Sequence, residues 1–184
     1  MKNEIEITNE VSISTPRISK PKPVKELKAK KRRKRSERKI LESRLDALCR
    51  LIVVDRDIRC VCPPPDNGHS TVIQCGHLIT RSKESVRWSL LNLHAQCSSC
   101  NMRHEFLPHY YTNWFIGKFG AEQYASLCAD SERIQKLQLY ELQELEDQMK
   151  KIRNKQLVAS LSGEPWRPYF TQAEILSGSW KNNG

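Results

Sequence analysis

The chain has 184 residues, a formal net charge of +10 and 28% charged residues. That length suits one modest domain with tails. No apolar run approaches the roughly 18 residues of a membrane-spanning helix, and the polar start MKNEIEITNE lacks a signal-peptide core. The chain is therefore expected to be intracellular and cytoplasmic, with no membrane partner.

The charge is unevenly spread. Between Arg17 and Arg44 stand fourteen Lys/Arg and three Glu, a local net of +11. The run Lys30, Lys31, Arg32, Arg33, Lys34, Arg35 is its centre. With Pro16, Pro21 and Pro23 and no apolar periodicity, residues 1–35 are expected to form a disordered basic arm. Such an arm releases counterions from nucleic acid and gives salt-sensitive, sequence-blind affinity. It lacks the bulky apolar residues of a membrane-surface helix.

From Ser36 the spacing of Leu41, Leu45, Leu48 and Ile52 predicts a helix capped by Ser36. PPPDNG then marks a turn, and STVIQC a short strand. GHLITR follows, then a loop through Lys83 to Asn92, and QCSSCN opens a short helix. Residues Pro108–Cys128 read as helical. Tyr110, Tyr111, Trp114, Phe115, Phe119 and Tyr124 form their core face, and Gly117 and Gly120 mark a break. Asp130 or Ser131 caps a long helix to about Ser160. Leu142, Leu145, Met149 and Ile152 form its seam, interrupted by Gln135, Gln138 and Gln156. Those glutamines favour packing on the chain's own domain, or a modest dimer contact, over a long coiled coil. Residues 159–184 read as an irregular tail, and 36–158 as the domain.

The chemistry concentrates between Cys60 and His104, which hold five of the seven cysteines and four of the five histidines. In a reducing compartment such clustering favours metal over disulfides. Cys49 and Cys128, isolated in apolar helices, read as buried thiols. Cys60-x-Cys62 and Cys97-x-x-Cys100 form a pair-and-pair set for a structural zinc ion. The first pair is one residue short of knuckle spacing, which leaves Cys75 as a substitute ligand. Four thiolates leave no open position for water, so catalysis must come from elsewhere. His77 follows the predicted strand, and a neutral imidazole can take a proton from water. Asn92 can hold the ring by a hydrogen bond. Asn101 can offer its amide oxygen to Mg²⁺ or Mn²⁺. His94, two residues after Asn92, shares its face in an extended chain and is a further candidate ligand of that ion. Arg81 and Arg87 are candidate phosphate-binding residues.

His77, Asn92 and Asn101 between two zinc knuckles resemble the HNH, or ββα-metal, endonucleases. More narrowly, CGHLITRSKESVRWSLLNLHAQCSSCN is similar to phage recombination proteins of the NinG/Rap type. The shared features are Gly-His, Arg87-Trp88, Asn-x-His and Gln-Cys-x-x-Cys-Asn, and the likeness covers about residues 45–155. The resemblance implies an α+β fold with a small zinc-stapled ββα-metal core flanked by helices. It implies a structure-specific DNA endonuclease acting on branched recombination intermediates such as Holliday junctions and D-loops. His77 would be the general base, Asn92 its orienting partner and Asn101 a metal ligand. In many HNH enzymes an acidic or His ligand precedes the base; here Gly76 stands there. His104 and His109 read as surface or capping residues. Symmetric resolution of a four-way junction needs two active sites, which points to a homodimer. A phage protein of this kind would work on the host nucleoid. The rival readings are a zinc-dependent nucleic-acid adaptor without hydrolysis, and an HNH nuclease for ordinary duplex DNA.

Overall fold

The computed structural model describes residues 36–63, 68–164 and 166–182. The basic arm, including Lys30–Arg35, lies outside these residues.

Helix α1 (Glu37–Asp57) starts where its cap predicts. The Ser36 hydroxyl accepts from the Lys39 backbone N–H at 3.4 Å. Leu41, Leu45, Cys49, Ile52 and Val53 are buried along one side, the period expected of a helix packed on a core. Ile58, a β-branched residue held at φ 65°, ends the helix and turns the chain toward Cys60.

Strand β1 (Ile73–His77) pairs antiparallel with β2 (Leu93–Cys97), with Gly76 opposite His94 and His77 opposite Leu93. All five residues of β2 are buried. Helix α2 (Ser98–Phe106) follows at once, so β1, β2 and α2 form one ββα unit.

Helices α3 (His109–Phe119) and α4 (Ala121–Ser131) are separated by Gly120, whose φ of 93° favours glycine. Gly117, expected to share in the break, stays inside α3. Helix α5 (Leu139–Leu161) does not begin at Asp130 or Ser131. The intervening segment is held off helical geometry by α1 and the loop before β2. Leu137 N–H donates to Glu84 at 2.9 Å, and Arg38 donates to the Leu137 carbonyl at 2.6 Å. Gln138 then opens α5, its N–H donating to Glu141 at 2.6 Å.

Helices α1 and α5 run side by side in the same direction. Arg44 pairs with Glu146 near one end, and Arg153 with Asp55 near the other, each at 2.5 Å. The Leu142, Leu145, Met149 and Ile152 seam is consumed here, in a core shared with α1, Trp88, Leu90 and Leu93. A second apolar layer joins Leu78, Val86 and Leu91 to Tyr111, Phe115 and Leu127 from α3 and α4.

The C-terminal segment is not an irregular tail. Thr171 and Glu174 form a capping box that starts α6 (Gln172–Ser177), followed by a 3-10 turn, Ser179–Asn182. Phe170, Ile175 and Trp180 complete the α1–α5 core. Burial of these large side chains, each worth roughly 1.5–3 kcal/mol, outweighs the Pro and Gly content that argues for irregularity. No helix among the described residues is long and apolar enough to cross a membrane.

Candidate functional site

The structure gathers Cys60, His69, Cys97 and Cys100, whose ligand atoms all lie within 4.8 Å of one another. Cys60 comes from the turn after α1, His69 from the loop before β1, Cys97 from the end of β2 and Cys100 from the first turn of α2. The His69 Nδ1 lies 3.5 Å from the Cys97 sulfur and 3.6 Å from that of Cys100. A tetrahedral zinc ion with ordinary Zn–S and Zn–N lengths separates such ligands by about 3.5–3.8 Å. The donor set therefore fits an ion such as zinc.

The electrostatics agree. Hydrogen bonding from Cys62 holds the Cys60 thiol down at about 4. Burial works to raise Cys97, but hydrogen bonds from Ser99, the Cys100 N–H and His69 outweigh it and leave Cys97 at about 7. Burial, then the neighbouring Cys97 and Cys60, push Cys100 up to about 12. Crowded thiolates raise one another, and a dication relieves that repulsion.

Cys62, assigned above as a ligand, is not in this cluster. It is buried in the layer around Tyr111, and its sulfur accepts from the Gln96 amide at 3.0 Å. The fourth donor is His69. Only the Cys/His composition of the segment could have pointed to it, since Cys₃His sets are ordinary for zinc. Nor does Cys75 substitute: it sits in another wall, where burial drives its thiol up to about 12.

A cavity of about 440 Å³ lies between α1, β1 and α2. His77, Asn101, Arg81, Arg87, Asp46 and Arg50 line it. The His77 Nε2 lies 3.2 Å from the Arg87 carbonyl oxygen. A carbonyl can only accept, so Nε2 carries the proton and Nδ1 keeps a lone pair. Burial, then the Arg81 charge, lowers the His77 pKa to about 4, so the ring is neutral at pH 7. Asn101 donates its Nδ2 to Gln74 at 2.8 Å. Its Oδ1 makes no hydrogen bond among the described residues.

Asn92 does not touch the His77 ring through a hydrogen bond. It is fully buried, and its side chain accepts from Ile79 N–H at 2.8 Å and donates to the Ile79 and Val86 carbonyls at 3.0 Å. It ties the two ends of the loop between β1 and β2, and the partner of the imidazole is the Arg87 carbonyl carried by that loop. His94 also departs from expectation. It pairs across the sheet with Gly76, so it faces away from His77 and Leu93. Tyr111, Trp114, Phe115, Phe119 and Tyr169 surround it, and its Nδ1 meets the Tyr111 hydroxyl at 2.7 Å. Burial holds it neutral, and it cannot serve an ion in the cavity.

Arg87 is committed to α1, contacting Asp46 at 2.8 Å and Glu42 at 3.5 Å. Arg81 is exposed at the cavity and makes no ion pair with a described residue, and the same holds for Arg50. Gly76 has its own reason. A Cβ there would lie 1.7 Å from the Gln96 Oε1, and Gln96 is needed in place to reach Cys62. His104 is half-buried and donates Nε2–H to the Leu78 carbonyl at 3.1 Å, rather than standing at the surface.

A Cys₃His cluster that could hold a metal ion clasps a ββα unit, beside a basic cavity with a neutral His and an Asn, in a helix-rich α+β protein. The chain belongs to the NinG family. It matches the family described as bacteriophage lambda NinG protein over residues 9–158. No curated protein and no solved structure matches it.

Proposed function

We propose that this protein is a metal-dependent endonuclease acting on branched DNA intermediates of phage recombination. Membership of the NinG family suggests the recombination setting. The observation that carries the hydrolytic reading is the pairing of His77 and Asn101 on one basic cavity, with the His77 Nε2–H engaged by the Arg87 carbonyl.

In this reading, Nδ1 of His77 takes a proton from water. The water oxygen bonds to phosphorus, and the bond from phosphorus to the 3′ oxygen breaks. The leaving 3′ oxygen takes a proton from solvent, so the products are a 5′ phosphate and a 3′ hydroxyl. Arg81 and Arg50 bind the non-bridging phosphate oxygens. Asn101 Oδ1 would hold Mg²⁺ or Mn²⁺, which supplies charge stabilisation to the phosphate and its leaving oxygen. A phosphate in the cavity offsets the Arg81 charge that depresses His77 and raises its basicity. An ion held by Cys60, His69, Cys97 and Cys100 would be structural, because four protein ligands would leave no open position for water.

The test is cleavage of a four-way junction and of a linear duplex of the same sequence, with and without Mg²⁺. Wild type should cut the junction in a Mg²⁺-dependent way, and His77→Ala should lose a factor of about 10²–10⁴ in rate while retaining zinc. Equal cutting of both substrates would make the protein a nuclease of ordinary duplex DNA. Junction binding without cutting under any divalent ion would leave a zinc-dependent adaptor.

A further inference from the structure

The carbonyl that engages His77 belongs to the peptide between Arg87 and Trp88. The N–H of that same peptide donates to the Gln172 Oε1 at 3.1 Å. Gln172 lies in the first turn of α6 and is buried at 3% exposure. Its other arm, Nε2, donates to the Glu84 carbonyl at 3.2 Å. One amide thus grips the loop at two points, four residues apart.

A peptide unit is planar and trans, so its N–H and C=O point in opposite directions. With Gln172 on one side and His77 on the other, the 87–88 plane is fixed from both ends. Turning it would break both bonds together. Accepting the N–H also polarises the carbonyl and makes it a better acceptor. Neighbouring bonds anchor the same loop to the same segment. Leu91 N–H and the Ser89 hydroxyl donate to the Phe170 carbonyl at 3.0 and 3.3 Å, and Arg56 bridges the Leu90 and Pro168 carbonyls at 2.8 Å each. Gln172, Phe170 and Pro168 all lie beyond residue 158, where the family match ends.

We infer that Gln172 is a positioning residue for the cavity: through the 87–88 peptide it fixes which nitrogen of His77 carries the proton. Its catalytic consequence rests on the endonuclease reading, but the tautomer itself does not. With the carbonyl in place, Nε2 is the protonated nitrogen and Nδ1 the acceptor. With the carbonyl turned away, nothing selects between them, and the fraction of chains with a competent base falls.

The experiment uses full-length, zinc-loaded protein with ¹⁵N-labelled histidine. Long-range proton–nitrogen correlation at pH 7 reads the ring tautomer, with His77 assigned by comparison with His77→Gln. Wild type should show His77 as the Nε2–H form alone. Gln172→Leu, which removes both bonds, should give a mixture of tautomers. Gln172→Glu should restore the wild-type signal, because its carboxyl still accepts from Trp88. If Gln172→Leu does not fold, Gln172→Asn takes its place; it keeps the amide but falls one methylene short, and should also give the mixture. On a four-way junction with Mg²⁺, the mixed-tautomer variant should lose kcat in proportion to the fraction no longer in the Nε2–H form, about twofold for an even mixture, with KM unchanged. A lower melting temperature with an unaltered His77 tautomer would overturn the inference and reduce Gln172 to a structural role. If wild type cleaves no DNA while the tautomer follows Gln172, the positioning stands and the endonuclease reading falls. If wild type cleaves but His77 ignores Gln172, the outcome is reversed.

Discussion

Arg56 and Asp57, consecutive residues at the end of α1, form a buried ion pair at 2.8 Å with 0% and 1% of their side chains exposed. The pair joins three parts of the fold. Arg56 donates to the carbonyls of Leu90, Leu93 and Pro168, and Asp57 accepts from Ala95 N–H and the Tyr169 hydroxyl. Helix α1, strand β2 and the C-terminal segment therefore meet at two side chains.

Asp57→Ala should be among the most damaging substitutions away from the metal cluster. It strands a buried guanidinium and orphans two donors. Breaking a buried pair in this way costs about 3–5 kcal/mol. Urea denaturation of the zinc-loaded protein measures it. A loss below about 1 kcal/mol, the range of an exposed pair, would show that water reaches Arg56.

The cluster predicts about one zinc per chain, and a ranking of variants. Cys97→Ser, Cys100→Ser and His69→Ala should lower zinc content and destabilise the ββα unit, because zinc binding is coupled to folding. Cys62→Ser should keep its zinc, losing a buried contact with Gln96 and weakening the hydrogen bond to Cys60. Metal analysis and thermal melts with and without chelator decide the matter. Zinc loss in Cys62→Ser, with His69→Ala unaffected, would restore the four-cysteine assignment.

Much of this was legible in the chain. The leucine spacing and Ser36 announce α1, and the order of His77 and Asn101 around the second knuckle foretells their shared cavity. Strand β2 does alternate, Leu93-His94-Ala95-Gln96-Cys97, but five residues running straight into the second knuckle make a short signal, and burial of its polar His94 and Gln96 with the rest is not what that alternation predicts. The role of Asn92 depends on the carbonyls of Ile79 and Val86, which no side-chain pattern encodes. His69 reaches the cluster only by loop closure. Helix α6 did carry a local signal, Thr171-x-x-Glu174, masked by the Pro- and Gly-rich stretch before it.

Acid should destabilise the protein over a definite window. In the unfolded chain His77 titrates near its ordinary 6.5, but burial holds it at about 4 in the fold. Burial, with Arg56 and Lys118, also holds His94 well below that ordinary value. Between about 4 and 6.5 the unfolded state binds more protons, so stability falls as pH falls, by at most about 1.4 kcal/mol per pH unit for each ring. His77→Gln should flatten this slope relative to wild type, the comparison cancelling the acid sensitivity of the cluster. Parallel stability curves for the two proteins across that window would place the His77 pKa near normal.

The two arginines of the cavity should separate binding from folding. Arg87 is tied to Asp46 and Glu42 on α1 and stacks over Trp88 at 4.7 Å. Its guanidinium has little left for a phosphate, so Arg87→Ala should lower the melting temperature first and DNA affinity second. Arg81 is exposed and makes no ion pair with a described residue. Arg81→Ala should leave the melt unchanged and weaken binding to every DNA shape. If Arg81 meets one phosphate, the slope of log affinity against log salt should shrink by about 0.9. Removing residues 1–35 should flatten the slope further, since the arm carries most of the excess charge. Titrations at several salt concentrations, paired with melts, read both quantities. If instead Arg87→Ala lowers the salt slope and Arg81→Ala does not, the Arg87 ion pairs must open on DNA binding, and the phosphate path would run along α1 rather than past β1.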